Sequence, residues 1–249
     1  MTILRRALRL ARSGAAAMFV AVAVSAAVRS GGDWQSASHE PAGLAPAASR
    51  TPEAVVQVYA ARGGGWRGVF GVHTWVAVKP EHAPAYTVHE VIGWRLGWSD
   101  SVVVAQERAP DARWYGSAPE LLADLRGARA TAVIPRIEAA ARAYPHAGAY
   151  RAWPGPNSNT FTAWITRAVP ELEADLPPTA IGKDYLGSSL VGSAPSGGGL
   201  QLSLVGVLGM TASAVEGIEF NLLGLGIGVD PFPPALRLPV VGRLGAPSR

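Results

Sequence analysis

Trp153-Pro154-Gly155-Pro156-Asn157-Ser158-Asn159-Thr160-Phe161 decides how this chain is read. A Pro/Gly turn leads into Asn-Ser-Asn. Apolar residues then recur at helical spacing: Phe161, Trp164, Ile165 and Ala168. The spacing predicts a helix from Ser158 to Val169, closed by Pro170, with Phe161, Ile165 and Ala168 buried and Arg167 exposed. Ser158 then sits in the first turn, where free N–H groups and the positive dipole end favour developing negative charge. A nucleophile at a helix N-terminus would look like this, and so would a plain capped helix.

Upstream of this stretch the pattern is that of strands. Alternation or apolar runs predict strands over 55–59, 69–78, 86–92 and 101–106. On the second, Val72, Thr74 and Val76 oppose His73, Trp75 and Ala77. On the third, Val88, Glu90 and Ile92 oppose Thr87, His89 and Val91. Short connections suggest an antiparallel meander. Ser117-Ala118-Pro119-Glu120 reads as a capping box opening a helix with Leu121, Leu122 and Leu125 as its stripe, ended by Gly127. A second helix is expected from Pro135 to Tyr144, with Ile137, Ala141 and Tyr144 on one side. Downstream, Leu200, Leu202 and Leu204, then Ile218, Phe220 and Leu222, then Leu225, Ile227 and Val229 alternate with polar residues or glycine. These predict two or three further strands, one with a bare glycine face where backbone could pack closely. The expected class is α+β, an antiparallel sheet packed on helices.

Charge is distributed unevenly. Residues 1–30 carry Arg5, Arg6, Arg9, Arg12 and Arg29 and no acid, leaving 17 of the 22 basic residues against all 18 acidic ones. The basic balance is therefore a property of the N-terminus and points to no nucleic-acid partner. Four arginines before an uncharged run over 13–28 read as a signal peptide or an inner-membrane anchor, an N-terminal hydrophobic helix that exports the rest of the chain to the periplasm. Residues 31–52, rich in Ala, Gly, Ser and Pro, read as a flexible linker, and 53–245 as one domain. An insertion of 200–229 into a membrane is disfavoured by Glu216, Glu219 and Asn221 within it.

The absence of cysteine removes disulfides, thiolate metal sites and thiol catalysis. His73, His89 and Ser158 form the candidate constellation: a base on a sheet facing a serine at a helix N-terminus can build an acyl-transfer site. The two histidines share a face if the strand register allows it. Helix N–H groups with the Asn157 amide would form an oxyanion hole, and Asn159 would shape the turn. Each residue has a plainer reading, a hydrogen-bonded histidine or a cap serine. No metal site and no cofactor are indicated. Seven tryptophans between 66 and 164 read as core and groove wall, Trp75 and Trp153 as cleft candidates. Lys183 and Asp184 read as a solvated loop that could rim the cleft.

Residues 55–245 resemble a mostly proteobacterial family of unknown function whose members carry a His-Thr-Trp strand, the Trp-Pro-Gly-Pro-Asn-Ser-Asn-Thr-Phe turn and an Ile-Gly-Lys-Asp-Tyr segment. Asn157-Ser158-Asn159-Thr160-Phe161 is also similar to the Asn-Cys-Asn-(His/Thr)-Phe motif of circularly permuted papain-like proteins, among them deSUMOylating isopeptidases, with NlpC/P60-type relatives. That resemblance implies a permuted papain-like fold with Ser158 in the nucleophile's place, His73 in the base's and His89 in the orienter's. Serine standing for cysteine implies either a silent domain binding an envelope peptide, glycan or lipid in the old cleft, or a serine-dependent amide or ester hydrolase or acyltransferase. A structural envelope protein, with the glycine-rich C-terminal strands as contact surface, is the third expectation.

Overall fold

A computed structural model describes residues 37–246; the expected N-terminal signal or anchor lies outside the described residues. Two antiparallel sheets and few helices give a mixed α+β architecture. The first sheet contains β1 (Val55–Arg62), β2 (Val72–Lys79), β3 (Thr87–Val91), β4 (Val103–Glu107) and β5 (Glu120–Arg126), in the order β4-β3-β2-β1-β5. A single helical turn, α1 (Arg67–Phe70), shortens the expected second strand at its start. The second sheet is a seven-strand meander: β6 (Val191–Gly192), β7 (Leu200–Leu204), β8 (Leu208–Ser213), β9 (Gly217–Leu222), β10 (Leu225–Pro231), β11 (Pro234–Leu238) and β12 (Gly242–Gly245).

The β1–β3 strands are buried on both faces, so each face has its own core. Val56, Val58, Val76, Val78 and Val91 pack on α2 (Gly127–Arg142) and α3 (Ser158–Ala168). On the reverse, Tyr59, Trp75, Ala77 and Val88 are covered by Trp114, Leu121 and Ala48. Ala48 belongs to the expected flexible linker, but residues 37–52 are tied down. Pro41 bridges Ala112, and the Asp111 carboxylate accepts from the N–H groups of Leu44 and Ala45 at 2.6 and 3.1 Å. The Tyr86 hydroxyl donates to the Pro46 carbonyl at 3.0 Å.

The expected helix over 117–126 is instead a strand. Ser117 closes a turn onto Trp114, and β5 pairs antiparallel with β1, with a bulge at Val58/Tyr59. Leu121, Leu122 and Leu125 fit either period, and the open hydrogen-bonding edge of β1 decides between them. Gly127, at φ 55°, opens α2 rather than ending a helix, and Pro135 lies inside that helix rather than at its start. Burial of Val133, Ile134, Ile137 and Ala141 outweighs the one backbone bond that Pro135 cannot make. Helix α3 begins at Ser158 as the sequence predicts, with Phe161 and Ile165 fully buried. Its last turn is rotated from the expectation. Ala168 is exposed, while the Arg167 guanidinium reaches inward to the carbonyls of Ser193 and Lys183 and to Gln201 Oε1, at 3.1, 2.8 and 2.7 Å. Burial lowers the Arg167 pKa to about 10.

The second sheet inverts the usual pattern. Gln201, Ser203, Thr211, Glu219, Asn221, Asp230 and Arg237 point inward, and Leu200, Leu202, Leu204, Ile218, Phe220, Leu222, Ile227 and Val229 point outward. The glycine face of β10 lies inside, where it makes room for a carboxylate: a Cβ at Gly226 would stand 2.5 Å from the Glu219 side chain.

Candidate functional site

The Asn157–Thr160 turn is a joint between α3, β2 and the 180–183 loop. The Asn157 side-chain oxygen accepts from the N–H groups of Asn159 and Thr160 at 2.9 and 3.2 Å, and Thr160 Oγ1 accepts from the Asn157 N–H, completing a capping box. The Asn157 amide nitrogen donates outward to the carbonyls of Ala152 and Ile181 at 3.1 and 2.9 Å. Asn159 donates to the carbonyls of Val72 and Ile181 at 3.0 and 2.8 Å and accepts from the Thr74 hydroxyl at 3.0 Å. The joint leaves no room at Gly182, whose φ is +97° and whose added Cβ would stand 2.5 Å from the Asn157 amide. Both asparagines are therefore braces, with their polar atoms engaged by the chain itself.

Thr74 settles the orientation of β2. Its side chain faces α3, so alternation sends His73 to the reverse face. There His73 stacks on Trp114 with ring centroids 3.8 Å apart, and its Nε2 lies 2.9 Å from Glu90 Oε2. The other Glu90 oxygen accepts from Arg108 at 3.1 Å and from Gln106 at 3.2 Å. Burial opposes ionisation of Glu90, but the His73 bond and the Arg108 charge hold its pKa below the ordinary carboxylate value. Ser158 is only 4 % exposed. Among the described residues no hydrogen bond joins it to His73.

Register also separates the two histidines. Val76 is directly opposite His89, so His89 shares the helix-facing side with Val76, while His73 shares the reverse side with Glu90. His89 is buried, and neither ring nitrogen has a partner. Burial lowers its pKa, with Glu138 raising it and Arg142 lowering it further from α2. A histidine that stays neutral when folded but takes up a proton when unfolded makes stability fall as pH drops below the ordinary value of 6.5. We expect that decline to reach at most about 1.4 kcal/mol per pH unit. In His89→Leu it should be lost between pH 6.5 and the folded pKa; urea denaturation at stepped pH checks this, and an unchanged profile would refute it.

The cleft candidates do not line a common cleft. Trp75 is fully buried, its Nε1 donating to the Pro110 carbonyl at 2.7 Å. Trp153 is exposed, and its Nε1 donates to the Leu223 carbonyl at 2.9 Å. Of the other tryptophans expected in core or groove wall, Trp66, Trp94, Trp98 and Trp164 are exposed. Lys183 and Asp184, expected in solvent, are both buried. Lys183 Nζ lies 2.9 and 3.0 Å from the two Asp184 oxygens and also bonds Glu219 of β9. Burial works against the Lys183 charge, but Asp184 and Glu219 outweigh it and raise the pKa. Arg237 continues the network with Glu219 Oε2 at 3.5 Å, a charge contact with Asp175, and the carbonyls of Glu216 and Leu176. This polar layer fixes the second sheet to the 175–184 segment that follows α3. A cavity of about 340 Å³ opens beside it, lined by Ala60, Val72, Leu122, Thr179, Arg237 and Val240 among others, and none of Ser158, His73 or His89 reaches it. No group of three metal-ligating side chains occurs among the described residues.

The chain belongs to a family described as a protein of unknown function, DUF3750, whose model matches residues 53–185. The matched segment holds the first sheet, both long helices and the Lys183–Asp184 pair, and ends before the second sheet. No curated protein and no solved structure gives a significant match.

Proposed function

We propose that this chain is a non-hydrolytic contact domain of the bacterial envelope, carried on a papain-like scaffold in permuted order. The order of parts supports the scaffold: a strand with His73 comes first, and a helix opening at Ser158 comes after it. The non-catalytic reading rests on one observation. Thr74, not His73, is the β2 side chain that meets the start of α3, so among the described residues the buried serine has no base in hydrogen-bond reach. Without such a base a serine hydroxyl stays protonated near neutral pH and is a poor nucleophile. The arginine-led apolar segment at residues 1–30 supports export and a place at the inner membrane.

One observation favours the serine hydrolase alternative: His73 and Glu90 form the kind of pair that orients a general base. A fluorophosphonate probe separates the two. The contact-domain reading expects no labelling of the wild type, and Ser158→Ala folding with a stability change of no more than about 1 kcal/mol. Labelling that disappears in both Ser158→Ala and His73→Ala would overturn it.

A further inference from the structure

Between Leu190 and Gly245 every exposed residue is apolar or glycine. Seventeen large apolar side chains in this stretch are between 42 % exposed (Leu202) and 72 % exposed (Phe232). Strand register arranges them in rows across the sheet. Val191, Leu202, Met210, Phe220 and Ile227 form one row. Leu200, Ala212, Ile218, Val229, Leu236 and Leu244 form the next, and Leu204, Leu208, Leu222 and Leu225 the third. At ordinary strand spacing and rise, the flat part alone measures on the order of 500 Å² in projection. Soluble monomers rarely expose more than a few hundred Å² of contiguous apolar surface.

We infer that this face of β6–β12 docks on the acyl region of a lipid bilayer, with the sheet lying flat on the membrane. The inference rests on the contact-domain reading and names its partner. Three observations choose lipid over a second copy of the chain. First, among the described residues from Leu190 to Gly245 the face has no exposed polar rim: the connections at the strand ends carry Val205, Leu223, Phe232 and Val241, all exposed. Protein interfaces place an apolar centre inside a polar, wet margin, whereas a lipid phase is apolar beyond the edge as well. Second, the carboxylates that disfavour membrane insertion from sequence are turned away. Glu216 accepts from the Ser196 N–H and hydroxyl at 2.7 and 2.8 Å, and Glu219 bonds Lys183, all on the inner face. The outer face therefore carries no charge into lipid. Third, Trp153 stands at the margin beside the β9–β10 turn, bonded to the Leu223 carbonyl, in the position an interfacial tryptophan takes. The sheet does not span. Its edge strands, two-residue β6 and four-residue β12, need polar partners that the hydrocarbon core lacks, and no described helix is long and apolar enough to cross a membrane.

The chain has no cysteine, so single introduced thiols can be labelled uniquely. Full-length Phe220→Cys, Ile227→Cys and, on β4 of the other sheet, exposed Glu107→Cys would each carry a nitrobenzoxadiazole fluorophore. They would be added to phosphatidylethanolamine/phosphatidylglycerol vesicles whose acyl chains are brominated. Near-ultraviolet circular dichroism of each variant confirms the native tryptophan environment. The labels at positions 220 and 227 are expected to shift to the blue and to be quenched several-fold more than the label at 107. Equal quenching at 107 and 220 would mean that residues 1–30 alone hold the chain on the vesicle, and would overturn the inference. Unquenched labels at 220, with unlabelled Phe220→Cys chains joining as disulfide dimers, would assign the face to a second copy and leave the contact-domain reading standing. Labels at 220 that remain in water with no dimer would overturn both. Fluorophosphonate labelling of Ser158 would overturn only the non-hydrolytic reading.

Discussion

Lys183→Met is expected to cost about 3–5 kcal/mol, the penalty for leaving buried charge without its partner, and so to remove a large share of a domain's usual 5–15 kcal/mol. Lys183 is fully buried between Asp184 and Glu219. Methionine fills similar volume but leaves two carboxylates facing each other, with Arg237 3.5 Å from Glu219 and Arg167 acting on Asp184 only through its charge. Glu219→Gln should cost less, because Lys183 keeps Asp184. The double variant should cost less than the two single effects added, since the residues share one network. Urea unfolding reads the three values; a Lys183→Met cost under about 1 kcal/mol would show that water reaches the site and refute the argument. Because the Lys183 pKa is raised, its contribution is present below the ordinary value of 10.5 and is lost only as pH rises through the folded value. Limited proteolysis adds a spatial reading. The polar layer ties the second sheet to the 175–184 segment, so Lys183→Met should expose sites after Leu186 before sites in β1–β3 are cut.

Alternation places Glu90 and His89 on opposite faces and Thr74 opposite His73, and the structure keeps both assignments. The start of α3 is legible because its cap is local: Asn157, Thr160 and the preceding Pro/Gly turn lie within a few residues. Which histidine meets which partner is not local. It depends on the β2–β3 offset that sets Val76 against His89, and no residue between the strands announces that offset. The strand β5 is hidden for the same reason, since its hydrogen-bond partner is β1, about sixty residues earlier. The second sheet is legible as strands but not in its sense. Leucines that alternate with polar residues are ordinarily read as facing inward, and here they face out. One signal could have exposed this. Glu219, Asp230 and Arg237 all fall on the parity opposite the leucines, and the glycines of β10 share that parity. A bare glycine face beside acidic residues is a face with space for carboxylates, as Gly226 against Glu219 shows.

Asn157→Asp separates a helix cap from a brace. If residue 157 only caps α3, aspartate is as good a cap as asparagine, and its charge suits the positive end of the helix dipole. Stability would then hold or rise. The structure requires more of this side chain. Its nitrogen donates to the carbonyls of Ala152 and Ile181, tying the turn before α3 to the loop after it. Aspartate has no hydrogen to donate there, and its second oxygen would face two carbonyl oxygens in a site that is 3 % exposed. Loss of two buried bonds, with charge-bearing oxygen against their acceptors, is expected to cost about 2–5 kcal/mol. Asn157→Ala should cost no more than Asn157→Asp, because it removes the donors without adding the repulsion. The order matters for function. In an oxyanion hole the Asn157 nitrogen would be free to meet a substrate, and Asn157→Asp would impair turnover while leaving folding intact. In a brace, thermal and urea stability fall first and Asn157→Asp falls furthest. Asn157→Asp unfolding at the wild-type urea concentration would refute the brace and return the amide to the candidate catalytic set.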